Sequence, residues 1–183
     1  MLKNIEWKED NVYSLKVRDD LYTLVQMRKN YIMQFFDISS ETDDWPGLDL
    51  RTCSTLFFRF VAPKGLKGIF SRRISFGEVV VSDEPIQRKM LTMDLVDAPN
   101  YGAKLIELPE DYNSINAKVL TGRLTVGSDL DAIYRYELDG SEGSSDKLLR
   151  RLKRYFETGV NWDDSKNFLF KDVPQPPPYY GRS

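Results

Sequence analysis

The chain has no histidine and a single cysteine in 183 residues. With no imidazole, a Ser-His-Asp triad, a Cys-His pair and every histidine-based zinc site are excluded. One thiol, Cys53, cannot form a disulfide within the chain or complete a thiolate zinc site. It reads instead as a small buried hydrophobe, as expected in a reducing compartment. Long apolar runs are also missing: nothing approaches the roughly 18 residues of a membrane span. The opening residues, Met1-Leu2-Lys3-Asn4-Ile5-Glu6, lack an apolar signal core, so the expectation is a cytoplasmic protein with no membrane partner. A strong excess of charge of one sign is missing too. A net charge of -2 and a pI near 5.3 argue against a large nucleic-acid footprint. Carboxylate, lysine, tyrosine and arginine chemistry survive, as does Mg²⁺ or Ca²⁺ binding; no cofactor is expected.

What is present is 41% apolar residues, enough for one sizeable core. The pattern predicts an α+β fold: a mainly antiparallel twisted sheet, or a partly open barrel, with one helix near the C-terminus. Residues 1–183 read as a single domain. A β meander fills 1–62, further strands and loops fill 63–140, a helix fills 144–159, and an extended proline-rich tail fills 172–183. In the meander, residues 12–17 and 21–27 flank the polar turn Arg18-Asp19-Asp20. Tyr31 to Phe36 is near-continuously apolar, which predicts that one end of it is covered on both faces. Ser54 to Val61 is a further strand, with Leu56, Phe58 and Phe60 expected in the core. Pro63 to Gly68 reads as a mobile connection.

Later strands are expected around Ile74 and Phe76, at Glu78–Val81, Lys89–Val96, Lys104–Leu108 and Leu120–Val126, with Gly122 marking a bulge. Pro99 to Gly102 reads as a turn. Asp131 to Leu138 alternates and predicts another strand. The helix is expected from about Asp146 to Thr158, N-capped by Ser145 and ended by Gly159. Its apolar face would hold Leu148, Leu149, Leu152, Tyr155 and Phe156. The tail, with four prolines and Tyr179-Tyr180, would be a packed strap or a disordered end.

The first candidate site is the acidic loop. Asp37, Glu41, Asp43, Asp44 and Asp49 could face a basic partner, with Trp45 as an aromatic anchor. The plainer alternative is a solvated loop with Trp45 folded back as a lid on the core. Lys147, Arg150, Arg151, Lys153 and Arg154 could touch phosphates or acidic lipid. Five bases face three acids over residues 141–160, so a solvated or core-covering helix face accounts for them better. Gly65-Leu66-Lys67-Gly68 lacks the spacing of a phosphate loop. Asp129-Leu130-Asp131 and Asp94-Leu95-Val96-Asp97 could offer oxygen ligands to a hard cation, but turn hydrogen bonding is the usual role of such aspartates. Paired carboxylates in a cleft would permit hydrolysis.

The stretch from Asp10 to Val61 carries a resemblance. Asp10-Asn11-Val12-Tyr13-Ser14-Leu15, then Asp20 to Gln26, then Phe35-Phe36-Asp37, resemble the strands of the bacterial immunity-protein family numbered twenty-six. Leu56 to Val61 is similar to that family's next strand. The resemblance implies a cytoplasmic antitoxin that covers a cognate toxin domain by non-covalent binding, with a basic nuclease among the candidate partners. Asp43, Asp44 and Trp45 would then suit a basic cleft. Two other readings stay open: a small-ligand or peptide-binding domain, and a carboxylate-dependent hydrolase. Oligomeric state is not legible.

Overall fold

Alternating apolar residues in the first sixty positions form strands that bury both faces of one sheet. A computed structural model describes residues 2, 5–66, 68–95 and 101–181. The fold is α+β, with antiparallel sheets and one long helix. The chain divides into two compact units. One comprises residues 1–86 and 141–153, the other residues 87–140 and 154–183.

In the first unit, β1 (Val12–Arg18), β2 (Leu21–Met27), β3 (Ile32–Phe36), β4 (Leu48–Asp49), β5 (Thr55–Phe60), β6 (Phe70–Arg73) and β7 (Val79–Val80) follow in order. Five of them make a sheet of order β5-β3-β2-β1-β6, while β4 and β7 pair in parallel. Register explains both faces. Val12, Gln26, Gln34 and Phe58 stand in one cross-strand row, and Tyr13, Val25, Phe35 and Phe57 in the next. The second row is aromatic: Phe35 and Phe57 stack at 4.4 Å, and the Arg151 guanidinium lies 3.8 Å over Phe57. The first row borders a cluster of Val12, Leu24, Phe36, Trp45, Leu50, Ile74 and Val79. All of Ile32–Phe36 is buried, the polar Gln34 included, so cover on both faces extends beyond the one end expected.

In the second unit, β8 (Lys89–Asp94), β9 (Gly102–Glu107) and β10 (Lys118–Arg123) form a three-stranded sheet of order β10-β9-β8. Register shifts between Thr121 and Arg123, so Gly122 sits in a bulge. The helix α1 (Leu130–Arg135) follows, then α2 (Ser145–Thr158), which begins in the first unit and ends in the second, and α3 (Lys166–Leu169). Trp162, Leu91, Ala103 and Ile133 lie at the centre of this unit's core.

Several expectations are corrected. Residues 131–138 are not a strand: α1 runs through Leu130–Arg135, and only Leu138 bridges to Leu91. Local chemistry explains it. The Asp129 carboxylate accepts from the Thr125 amide and the Ser128 hydroxyl just before the helix, and Arg135 pairs with Asp131 one turn back. The buried Lys166 ammonium then donates to the Ile133 carbonyl at 2.7 Å, satisfying an acceptor that the helix end leaves open. Phe57 and Arg59 are buried along with Phe58 and Phe60, because cover exists on both faces.

Pro63–Leu66 is an ordered 3-10 turn with Leu66 fully buried; Lys67 lies outside the described residues. Ile74 and Phe76 lie beyond β6 rather than in a strand. The α2 helix is capped by Ser144, whose Oγ accepts from the Lys147 amide, while the Ser145 hydroxyl donates to the Gly65 carbonyl. Arg151 is buried and Arg154 half-buried, so the helix does not present five free cations. Gly159 does end α2, at φ +75°. The tail packs as a strap on its own unit: the Tyr179 amide donates to Gly159, and the Tyr180 hydroxyl donates to Asp131. The predicted turn at Pro99-Asn100 falls outside the described residues, as does Asp97 of the Asp94–Asp97 pair.

Candidate functional site

The six acidic-loop residues part company. Trp45 is 6% exposed and belongs to the core cluster, so it is a lid and not an exposed anchor. Its indole N–H donates to Ser14 Oγ at 3.3 Å and to Asp43 Oδ1 at 3.2 Å. An aromatic of this size buries well when its one polar atom finds an acceptor. Asp43 is turned inward too. Ser71 donates to it at 2.5 Å, and the Arg72 guanidinium lies 3.4 Å from it. Burial alone would raise the Asp43 pKa; hydrogen bonds from Ser14, Ser71 and Trp45, with the Arg72 charge, lower it below the ordinary carboxylate value. Asp49 caps the turn that follows it and pairs with Arg51 at 2.6 Å. That pairing holds its pKa down. Asp37 is half-buried, and its amide donates to Ser54. Glu41 and Asp44 alone of the six are exposed.

Beside this loop runs a segment that sequence reasoning assigned to strands. Ser75 to Glu78 forms a β-turn closed by Glu78 N–H donating to Ser75 O at 3.1 Å. Gly77 has φ +85°, the left-handed geometry that a type II turn requires at its third position. Phe76 therefore stands at the tip of the turn, at 110% relative exposure. Val80 and Val81 are exposed alongside it. One exposed apolar side chain is unremarkable, but three together on one lip mark a surface worth covering.

The lip is held at closely spaced points. Ile74 N–H donates to Val12 O. Glu78 takes both arms of Arg72, at 2.9 and 2.5 Å, which lowers its pKa. Such a bidentate pair fixes direction as well as distance. Val79 and Val80 pair with Leu48 and Asp49, and Gly47 N–H donates to Glu78 O. Next, Ser82 exchanges both backbone bonds with the buried Gln26 amide, at 2.8 and 2.9 Å. Glu84 closes the series: its carboxylate accepts from Thr55 and Gln34, and its carbonyl accepts from Arg28. The two glutamines of the first cross-strand row thus hold the outgoing end of the lip on the sheet.

Arg72 also donates to the Asp43 carbonyl at 3.2 Å, so one guanidinium ties the acidic loop to the apolar turn. Gly47, at the end of the same loop, bonds Glu78 as well, so the loop that exposes Glu41 and Asp44 is tied at two points to the turn that exposes Phe76. A cavity of about 360 Å³ opens under the lip, walled by Val12, Ile74, Val79 and Val81 with Arg73 at its polar side. Among the described residues no group of three or more His, Cys, Asp or Glu could hold a metal. Asp129 and Asp131 serve the turn and helix around them, and Asp94 lies 3.4 Å from Lys104.

Phe76, Val80, Val81 and the Arg72–Glu78 clasp escaped sequence reasoning. The available signal was Ser75-Phe76-Gly77-Glu78, a turn tetrapeptide with glycine in its third place. The β-branched run that follows masked it as a strand.

Among the described residues no helix is long and apolar enough to cross a membrane. No curated protein and no solved structure matches the chain. A family profile described as domain of unknown function (DUF8309) matches residues 2–175. The chain, matched over nearly its whole length, belongs to the DUF8309 family.

Proposed function

We propose that this chain is a non-catalytic binding protein of immunity type, an antitoxin that inhibits a cognate toxin domain by covering it. The observation that carries the reading is the clasped lip: an aromatic residue held out at a turn tip, two exposed valines following it, and exposed acids on the loop that Arg72 ties to it. Rigid aromatic anchors contribute heavily to interfaces because little conformational freedom is lost when they dock. An apolar centre with a charged rim is the usual anatomy of such a surface. Glu41 and Asp44 suit a basic partner, a toxin nuclease with a cationic cleft being the simplest. Rim charges of this kind mainly raise the association rate. The resemblance of residues 10–61 to an immunity-protein family supports the same reading.

The test is growth rescue. A toxin domain captured from the native strain is co-expressed with the chain, and its affinity is then measured with purified proteins. Phe76→Ala is expected to weaken binding by about 2 kcal/mol, roughly thirtyfold. The double change Glu41→Lys and Asp44→Lys is expected to slow association and flatten its salt dependence. Unaltered affinity in both variants would remove this surface from the interface.

A further inference from the structure

We propose that the cavity under the lip is a binding site for a small apolar monocarboxylate, a free acid with a hydrocarbon body and one carboxylate end. This goes beyond the antitoxin reading and does not depend on it. The cavity holds about 360 Å³, at the small end of ligand pockets and room for roughly a dozen heavy atoms at about 30 Å³ each. Its lining is mainly hydrocarbon, from Val12, Ile74, Phe76, Val79, Val80 and Val81, with polar groups from Asn11 and Ser75. Among the described residues Arg73 is the cation in its lining.

The state of that guanidinium selects the ligand. Arg73 Nη2 donates to Asn11 Oδ1 at 2.7 Å, which aims the planar group without neutralising it. Its other arm lies 3.6 Å from the Glu6 carboxylate, a loose pairing in which Glu6 keeps 74% of its side-chain exposure. A carboxylate is therefore already accommodated next to this arm, held weakly enough to be displaced. Asp10, the acid in the lining, accepts from the Gln26 amide at 2.9 Å and is turned to that bond. Guanidinium and carboxylate match in planar, two-pronged geometry.

The backbone around the cavity favours a small acid over a peptide. Val79 and Val80 already pair with β4, Glu78 N–H with Ser75 O, and Ile74 N–H with Val12 O. Recognition falls on side chains, which suits a ligand without a backbone of its own.

The experiment titrates the ¹⁵N-labelled full chain with octanoate, octanol and octylamine, following amide shifts. Saturable shifts confined to residues 10–12 and 73–81, with octanoate binding at least about tenfold more tightly than the other two, are expected. Arg73→Met should cost octanoate about tenfold while leaving octanol unchanged, and Arg73→Lys should recover part of the loss. Val80→Asp, a change at an exposed position, should repel octanoate independently of Arg73. The proposal is overturned if octanol matches octanoate, if Arg73→Met leaves octanoate affinity intact, or if the shifts map elsewhere. Tighter binding of the tetrapeptide acetyl-Ala-Ala-Val-Leu than of octanoate would also overturn it, assigning the pocket to peptide carboxy-termini.

Discussion

Replacing Asp43 by alanine tests whether the acidic loop is held by its own charge. The carboxylate accepts from the Ser71 hydroxyl and the Trp45 indole and faces Arg72. A hydrogen bond to a charged group contributes about 1.5–3 kcal/mol. The three partners do not simply add, because each has a second acceptor. Trp45 still has Ser14 Oγ, Ser71 still has the Ser14 carbonyl, and Arg72 still has Glu78. The buried Ser14 hydroxyl, which also bonds Asp43, loses that acceptor, so the expected loss at pH 7 is about 2 kcal/mol, the size of one charged hydrogen bond. With a urea slope of about 2 kcal/mol/M, the midpoint falls by about 1 M.

The pH dependence has a fixed sign. The folded Asp43 pKa lies below its unfolded value. Its contribution is complete above the unfolded carboxylate value of about 3.9 and fades as pH falls through the lower folded value. The gap between wild type and Asp43→Ala is therefore flat from pH 7 to 5 and narrows below about 4. Urea unfolding at several pH values, followed by indole fluorescence and far-ultraviolet dichroism, measures it. A gap under about 0.5 kcal/mol at pH 7, or one that widens in acid, refutes the reasoning.

Two further changes test the packing. Gly65→Ala would bring a methyl group 2.0 Å from the Gly143 carbonyl oxygen, backbone against backbone, so stability should fall by more than about 2 kcal/mol, a drop of about 1 M in the urea midpoint; a wild-type midpoint would contradict that close approach. Gly159→Ala forces a side chain into φ +75° and 2.8 Å from the Tyr179 ring. It should cost about 1 kcal/mol for the backbone alone and more for the clash. Adding Tyr179→Ala should recover the clash portion, and strictly additive losses would mean that the strap does not rest there.

Much of the fold was legible because it rests on short-range periodicity. The meander of the first sixty residues, the buried β3 and the amphipathic α2 each announce themselves by which residues recur at period two or at helical spacing. The α1 helix did not, because Tyr134, Tyr136 and Leu138 mimic a strand. Its helical state rests on Asp129 folding back onto Thr125 and on Lys166, thirty-three residues away from the carbonyl it caps. The candidate site was legible only as a region. Composition located the acidic loop, but no local pattern separates an acid that faces water from one that faces a hydroxyl twenty-eight residues further on, as Asp43 does with Ser71.

What the amino-acid sequence determined alone was the class of chain: α+β, rich in strands, without imidazole. Hydrophobic alternation and helix capping are properties of neighbouring residues, so they can be read in order. Tertiary structure decided which side chains are offered outward. It drew Trp45 and Asp43 in, left Glu41 and Asp44 out, and set Phe76 on a turn clasped by Arg72 and Glu78. Exposure depends on what the rest of the chain brings over a residue, and that is settled only when distant segments meet.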